Sequence, residues 1–131
     1  MKKLVSILLI ATLLFASATA LAETVEYDFE VFENDKWFAF PATKADSEQR
    51  YYVTQKKAVI VKVYYGVRAD DDLNTRIANT ITVAANTANV KQRESYKITA
   101  KAGKTYKLAT EIEKGVLWVN EVARYNGSWT P

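Results

Sequence analysis

Apolar side chains recur at every second residue through most of this chain, a period that admits strands and little else. In "TVEYDFEVF", Val25, Tyr27, Phe29 and Val31 fall on one face and Glu26, Asp28 and Glu30 on the other. Successive strand side chains point to opposite sides, so such a segment buries one face and wets the other. The strongest run is "KKAVIVKVYYGVRA". Here Val59, Val61, Val63, Tyr65 and Val67 share a face, opposite Ile60, Lys62 and Tyr64. β-Branched and aromatic residues in that density read as the centre of a core.

The same reading extends along the chain. "KWFAF" follows the polar turn "ENDK" and ends at Pro41, which cannot donate to a ladder and so marks an edge or a strand end. "RYYVT" and "IANTITVAA" read as strands, "ATKADSEQR" as one helical turn or a loop, and "DDDLNTR" and "NTANVKQRES" as loops. "SYKITAKA" places Tyr96, Ile98 and Ala100 inward, and "TYKLATEIE" does the same for Tyr106, Leu108 and Ile112. "VLWVNEVARY" is apolar on both faces over Val116 to Val119, and Asn126-Gly127 in "YNGSWT" is a hairpin-turn signal. About seven or eight short strands result, with turn signals at the spacing of a sandwich. The expected architecture is all-β, a single-domain antiparallel β-sandwich over residues 23–131, with a small β-barrel as the alternative. Two Pro and four Gly leave no low-complexity linker.

Residues 1–22 stand apart. Lys2 and Lys3 precede the apolar run "LVSILLIATLLFA", and "ATALA" places Ala20 and Ala22 at the small-x-small positions. This is the pattern of a secretory signal peptide cleaved before Glu23, and the run is short for a membrane span of about 20 residues. A two-lysine start with a compact apolar run suits bacterial export, so a periplasmic protein without stable membrane insertion is expected. With Lys2 and Lys3 gone, the 18 Lys+Arg of the chain fall to 16 against 15 Asp+Glu. That balance, with no long basic run, points away from nucleic acid.

Absent residue types narrow the chemistry. The chain has no His and no Cys, and its one Met is Met1. Ser-His-Asp and Cys-His systems, thiol redox chemistry and His- or Cys-ligated metals are thereby excluded. Stability has to come without disulfides, which a domain of this size can achieve from burial alone. No cofactor is expected.

"AGKT" at Ala102–Thr105 ends like a phosphate-binding loop. That loop needs a Gly five residues before Gly103, where Ile98 stands, and a helix after Lys104-Thr105, where a period-two run continues. Gly103 therefore reads as a turn residue between strands. The run "YKITAKAGKTYKL", Tyr96 to Leu108, resembles the strand–turn–strand segment of PEGA-like domains and of other small exported bacterial β-sandwich domains, with "VIVKVYYG" as a matching core strand. The resemblance implies a non-enzymatic domain of the cell envelope in which Gly103 and Tyr106 are structural. It carries over no catalytic or ligand residue.

Three features remain as candidate sites. Asp70, Asp72 and Asn74 in "DDDLN" have the 1-3-5 spacing of a calcium loop, although Thr75 replaces its Gly, Ile81 replaces its bidentate Glu, and Arg68 and Arg76 can neutralise the run. Among many aromatics, Trp37, Tyr64 and Trp129, with Trp118, are candidates for stacking on a sugar or anchoring a protein. The carboxylates Glu111/Glu113 and Glu26/Asp28/Glu30 sit on polar strand faces and do not indicate a glycosidase pair. The function expected is a non-catalytic periplasmic binding or accessory protein that engages an envelope protein through loops and an edge strand. The alternative is a carbohydrate-binding module or a carboxylate-only enzyme acting on cell-wall polysaccharide.

Overall fold

The computed structural model describes residues 23–32, 40–115, 117 and 121–131. The expected signal peptide, Trp37 and Trp118, and most of "KWFAF" lie outside this set. Eight strands follow in order: β1 Val25–Phe32, β2 Phe40–Thr43, β3 Arg50–Gln55, β4 Val63–Ala69, β5 Ile81–Val83, β6 Val90–Ser95, β7 Thr105–Ile112 and β8 Val122–Thr130. They form two antiparallel four-stranded sheets, ordered β1-β8-β3-β6 and β2-β7-β4-β5.

This order has a simple origin. Hydrogen-bonded neighbours include β1 with β8, β2 with β7, β3 with β6 and β4 with β5. The chain is thus one long hairpin, β1–β4 against β5–β8, wrapped so that alternate pairs fall in opposite sheets. That is the jelly-roll form of the β-sandwich. The sheets are stitched along one corner, where Asn79 N–H donates to Ser95 O (2.9 Å) and Lys97 N–H to Ile77 O (2.8 Å).

The alternation seen in the sequence becomes the core. Tyr27, Phe29 and Val31 of β1 face Val63, Tyr65 and Val67 of β4, with Tyr51, Val53, Leu108, Tyr125 and Trp129 buried among them. Because many of these residues are tyrosines, the core holds hydroxyls that need partners. Tyr27 Oη donates to Tyr65 Oη (3.0 Å), which donates to Gln55 Oε1 (2.8 Å). The Gln55 amide then donates to the carbonyls of Lys57 (3.0 Å) and Thr87 (3.2 Å). Tyr51 Oη donates to Asn79 O (2.6 Å) and accepts from Ile81 N–H (3.2 Å), while Thr110 Oγ1 and Tyr125 Oη lie 2.7 Å apart. Breaking one link of such a chain leaves a buried polar group unmet, at about 1–3 kcal/mol.

Three local expectations are corrected. "NTANVKQRES" is not only a loop, since Val90–Ser95 form β6 against β3. Its period was invisible because β6 is an edge strand with no buried residue. Asn126-Gly127 is not a hairpin turn but the middle of β8, paired with Asp28 and Tyr27. A Cβ on Gly127 would run into Thr54 O and stand 2.6 Å from Tyr27 Oη, so Gly is required there for close approach. "SYKITAKA" leaves the ladder after Tyr96, and Ile98 is 53% exposed rather than inward. Its backbone is satisfied by side chains instead: Gln49 pairs with both N–H (2.7 Å) and O (2.9 Å) of Ala100, and Lys101 N–H donates to Tyr106 Oη (2.8 Å). Pro41 lies in edge strand β2, the edge placement that its missing N–H implies. Gly103, with φ +77°, does make the expected turn. Beside it Lys44, in a stretch that read as polar loop, is fully buried with its Nζ on Asp46 Oδ1 (2.8 Å) and Pro131 O (3.1 Å).

Two outcomes are expected. Gly127→Ala should lower stability by about 2–3 kcal/mol, the cost of forcing an atom into a filled core, measured by urea unfolding. Burial holds the phenols of Tyr27, Tyr51, Tyr65, Tyr96 and Tyr125 above their ordinary range. A raised acid pKa favours the neutral form in the folded state, so this stability is intact below the unfolded value near pH 10 and is lost as pH rises past it. Their phenolate absorbance should therefore appear together with loss of tertiary circular dichroism, in one cooperative alkaline step. Smooth titration near pH 10 with the fold intact would contradict it.

Candidate functional site

The expected contact residues separate once placed on the fold. Trp129 lies on the inner face of β8, 1% exposed, so it is a core residue and not a surface contact. Its indole Nε1 has no hydrogen-bond partner. Tyr64 sits half-buried on the outer face of β4. The acidic loop does not gather its ligands: Asp70 Oδ1 is 3.0 Å from Lys107 Nζ, and Asp72 Oδ1 accepts the N–H of Asn74 (3.0 Å) and Thr75 (3.2 Å). Hydrogen bonds from Thr75 and Asn74 hold the Asp72 carboxyl below the usual carboxylate range. Among the described residues, no three His, Cys, Asp or Glu side chains converge on a metal position.

What the sheet does gather is a row of cations. β4 alternates Val63, Tyr65 and Val67 inward with Tyr64, Gly66 and Arg68 outward. The β4–β7 register sets Arg68 opposite Lys107, and a bridge on the other side sets Arg68 opposite Arg76. Residues directly opposite in an antiparallel pair share a face, with Cβ atoms about 5 Å apart. Arg76, Arg68 and Lys107 therefore lie side by side across the outer face of the second sheet. Four residues along the strands, Thr82, Tyr64 and Glu111 form a second row.

Between the rows the sheet carries only Gly66 and Ala109, which face each other. Arg76 occupies that space: its Nε stands 3.1 Å from where a Cβ on Gly66 would be. From there its guanidinium donates to Thr80 Oγ1 (2.6 Å) and lies 3.8 Å from Glu111 Oε1. At the other end of the row, Lys107 takes Asp70. Arg68 in the middle is 8% exposed, and its Nε makes no hydrogen bond. Burial, and then the neighbouring Arg76, lower the pKa of Arg68.

This arrangement carries a cost that the carboxylates of Glu111 and Asp72, both attracting Arg68, offset in part. Like charges directly opposite on a sheet destabilise it by up to about 1 kcal/mol, and a buried unpaired N–H adds to that cost. The outer face of the first sheet shows the ordinary alternative, with Arg124 on Glu30 (3.1 Å) and Lys56 on Glu26 (2.7 Å). Beside the cation row, Tyr64, Arg76, Thr80, Thr82 and Glu111 line an open depression of ≈ 390 Å³. Tyr64, Gly66, Arg68, Arg76 and Glu111 also close around a gap too small to hold a water molecule. A larger depression, ≈ 500 Å³, lies between Asp70-Asp71 and the Ile98–Tyr106 segment, where backbone groups of Lys101, Gly103 and Lys104 are already engaged in turn bonds.

Sequence reasoning took Arg68 and Arg76 for neutralisers of the acidic loop and Glu111 for ordinary surface charge. A signal was available. The turn "DDDLNT" between them makes a hairpin, and a hairpin sets its flanking residues opposite each other. Comparison with known protein families, with characterised proteins and with solved structures yields no match.

Replacing Arg68 by an apolar residue of similar length removes the charge conflict without leaving a hole. Arg68→Met is expected to keep the urea midpoint unchanged or to raise stability by up to about 1 kcal/mol. A loss above about 1 kcal/mol would make Arg68 a structural residue instead.

Proposed function

We propose that this chain is a non-catalytic binding module of the bacterial cell envelope, exported to the periplasm by residues 1–22, whose ligand-facing surface is the outer face of the β2-β7-β4-β5 sheet. The observation that carries the reading is Arg68: a largely buried arginine set opposite a second arginine, with an unmet Nε. Groups kept against stability are the mark of a site. The likeness of "YKITAKAGKTYKL" to PEGA-like envelope domains agrees with a non-enzymatic role.

The sheet face is favoured over the β2 and β6 edges as the contact surface. β2 contains Pro41, which cannot donate to an added strand, and β6 carries Lys91 and Arg93 along an edge whose end is stitched to residues 77–79. Both are devices that discourage strand addition. A flat face with Tyr64 at its centre and charges around it suits a ligand that lies across strands.

The test is retention of the purified protein on a cell-envelope preparation. Thr82→Trp, which places bulk on the proposed face, is expected to weaken retention about tenfold, a change of ~1.4 kcal/mol. Asn126→Trp, exposed on the outer face of the opposite sheet, should leave it unchanged. Equal retention of both variants would remove the sheet face as the binding surface.

A further inference from the structure

We propose that the edge of β1 accepts an extended peptide strand from a protein partner, one that alternates basic with apolar side chains. This surface belongs to the first sheet, apart from the cation-bearing face of the second. Its first support is the backbone. β1 stands at the end of its sheet and pairs with β8 without interruption from Val25 to Phe32. Lys56 N–H donates to Asn126 O (2.8 Å), so the backbone of Asn126 is turned toward β3 and away from β1. Residues of an antiparallel strand alternate in this respect. Tyr27 and Phe29 therefore bond to β8, while Glu26, Asp28 and Glu30 turn N–H and C=O outward. Among the described residues, none meets these outward groups. Such a row is a template for an added strand. The other edges are blocked or short: β2 carries Pro41 and has its Thr43 N–H held by Glu23 Oε2 (2.6 Å), β5 has three residues, and β6 is stitched at Ser95.

The second support is charge, and it defines the partner. The residues whose backbones face outward also carry exposed side chains, and all three are acids. Lys56 and Arg124 reach Glu26 (2.7 Å) and Glu30 (3.1 Å) from further into the sheet, while Asp28 stands opposite the neutral Asn126. Both ion pairs are exposed and hold little, and each carboxylate keeps lone pairs for a second cation. A second copy of this chain is a poor occupant, because β1 against β1 sets carboxylate opposite carboxylate. A strand with Lys or Arg at every second position sets opposite charges across the new pair instead. Its intervening side chains turn toward the other sheet, where Phe40 is half-buried and packs edge-on against Phe29 at 5.0 Å between ring centroids. An acidic outer face and an apolar inner one thus call for a basic and apolar alternation.

The experiment follows backbone amide exchange by NMR in the purified protein, alone and with two eight-residue peptides, one alternating lysine with valine and one alternating glutamate with valine. Without peptide, the amides of Glu26, Asp28 and Glu30 are expected to exchange at least about tenfold faster than those of Tyr27 and Phe29. The lysine peptide should slow those three, and the glutamate peptide should bind at least about tenfold more weakly. Methylating the lysine amides of the peptide, which face β1 when each lysine stands opposite an acid, should abolish the protection. Asp28→Lys, a change on the exposed face that leaves the core untouched, should weaken the lysine peptide about tenfold. Slow exchange at Asp28 in the free protein, no slowing by the lysine peptide, an equal response to the glutamate peptide, or indifference to methylation or to Asp28→Lys each overturns the proposal.

Discussion

The structure depends on a chain of hydroxyls buried between its sheets. Tyr27 on β1 reaches across the core to Tyr65 on β4, which bonds back to Gln55 on β3. Hydrocarbon alone would tolerate some sliding of one sheet over the other; a one-directional run of hydrogen bonds does not, because each link fixes the position of the next donor. The same chain explains Gly127. Tyr27 and the Thr54 carbonyl together occupy the space that a side chain on β8 would need. The aromatic rings around it, Phe29, Tyr27, Tyr65 and Tyr125, contact one another at centroid distances of 5.2–6.1 Å, so the tyrosines among them serve packing and polarity together. A cysteine-free domain thus obtains uniqueness from internal polar pairing rather than from cross-links.

Two core groups, Tyr96 Oη and Trp129 Nε1, are left without a partner, and so are Arg68 Nε and Arg76 Nε on the outer face of the second sheet. Arg68 is nearly as buried as the core yet has an unmet Nε and a like charge opposite it. Opposite charges meet on both outer faces, Lys56 on Glu26 and Arg124 on Glu30 on the first, Lys107 on Asp70 and Arg76 near Glu111 on the second. What sets Arg68 apart is the arginine opposite it, a matter of register that the whole-chain charge balance does not show.

Legibility followed burial. β1, β4 and β7 each bury one face, and their residues announce it at period two; Tyr106, Leu108 and Ile112 turn inward as their spacing implies. β6 buries neither face, so its strand character comes only from pairing with β3. Asn126-Gly127 and "SYKITAKA" misled for a related reason. Their local signals were sound, but one dipeptide was selected for a close approach from β1 and β3, and the other segment found its hydrogen bonds in the side chains of Gln49 and Tyr106. Tyr64 was recognised as a candidate contact, whereas Trp129 was not distinguishable from it, since both are aromatics in strands and inner versus outer placement depends on register.

By itself the sequence determined the fold class, the residues that make most of the core, and the removal of histidine and thiol chemistry. Those follow from side-chain period and from which functional groups are present, and both are properties of the chain alone. Tertiary structure decided the jelly-roll order, the role of Gly127 and the meeting of Arg68, Arg76 and Lys107. Each of these is a statement about which strand lies beside which. That is set by the wrapping of one long hairpin and by the hydroxyl chain that locks its two sheets in register.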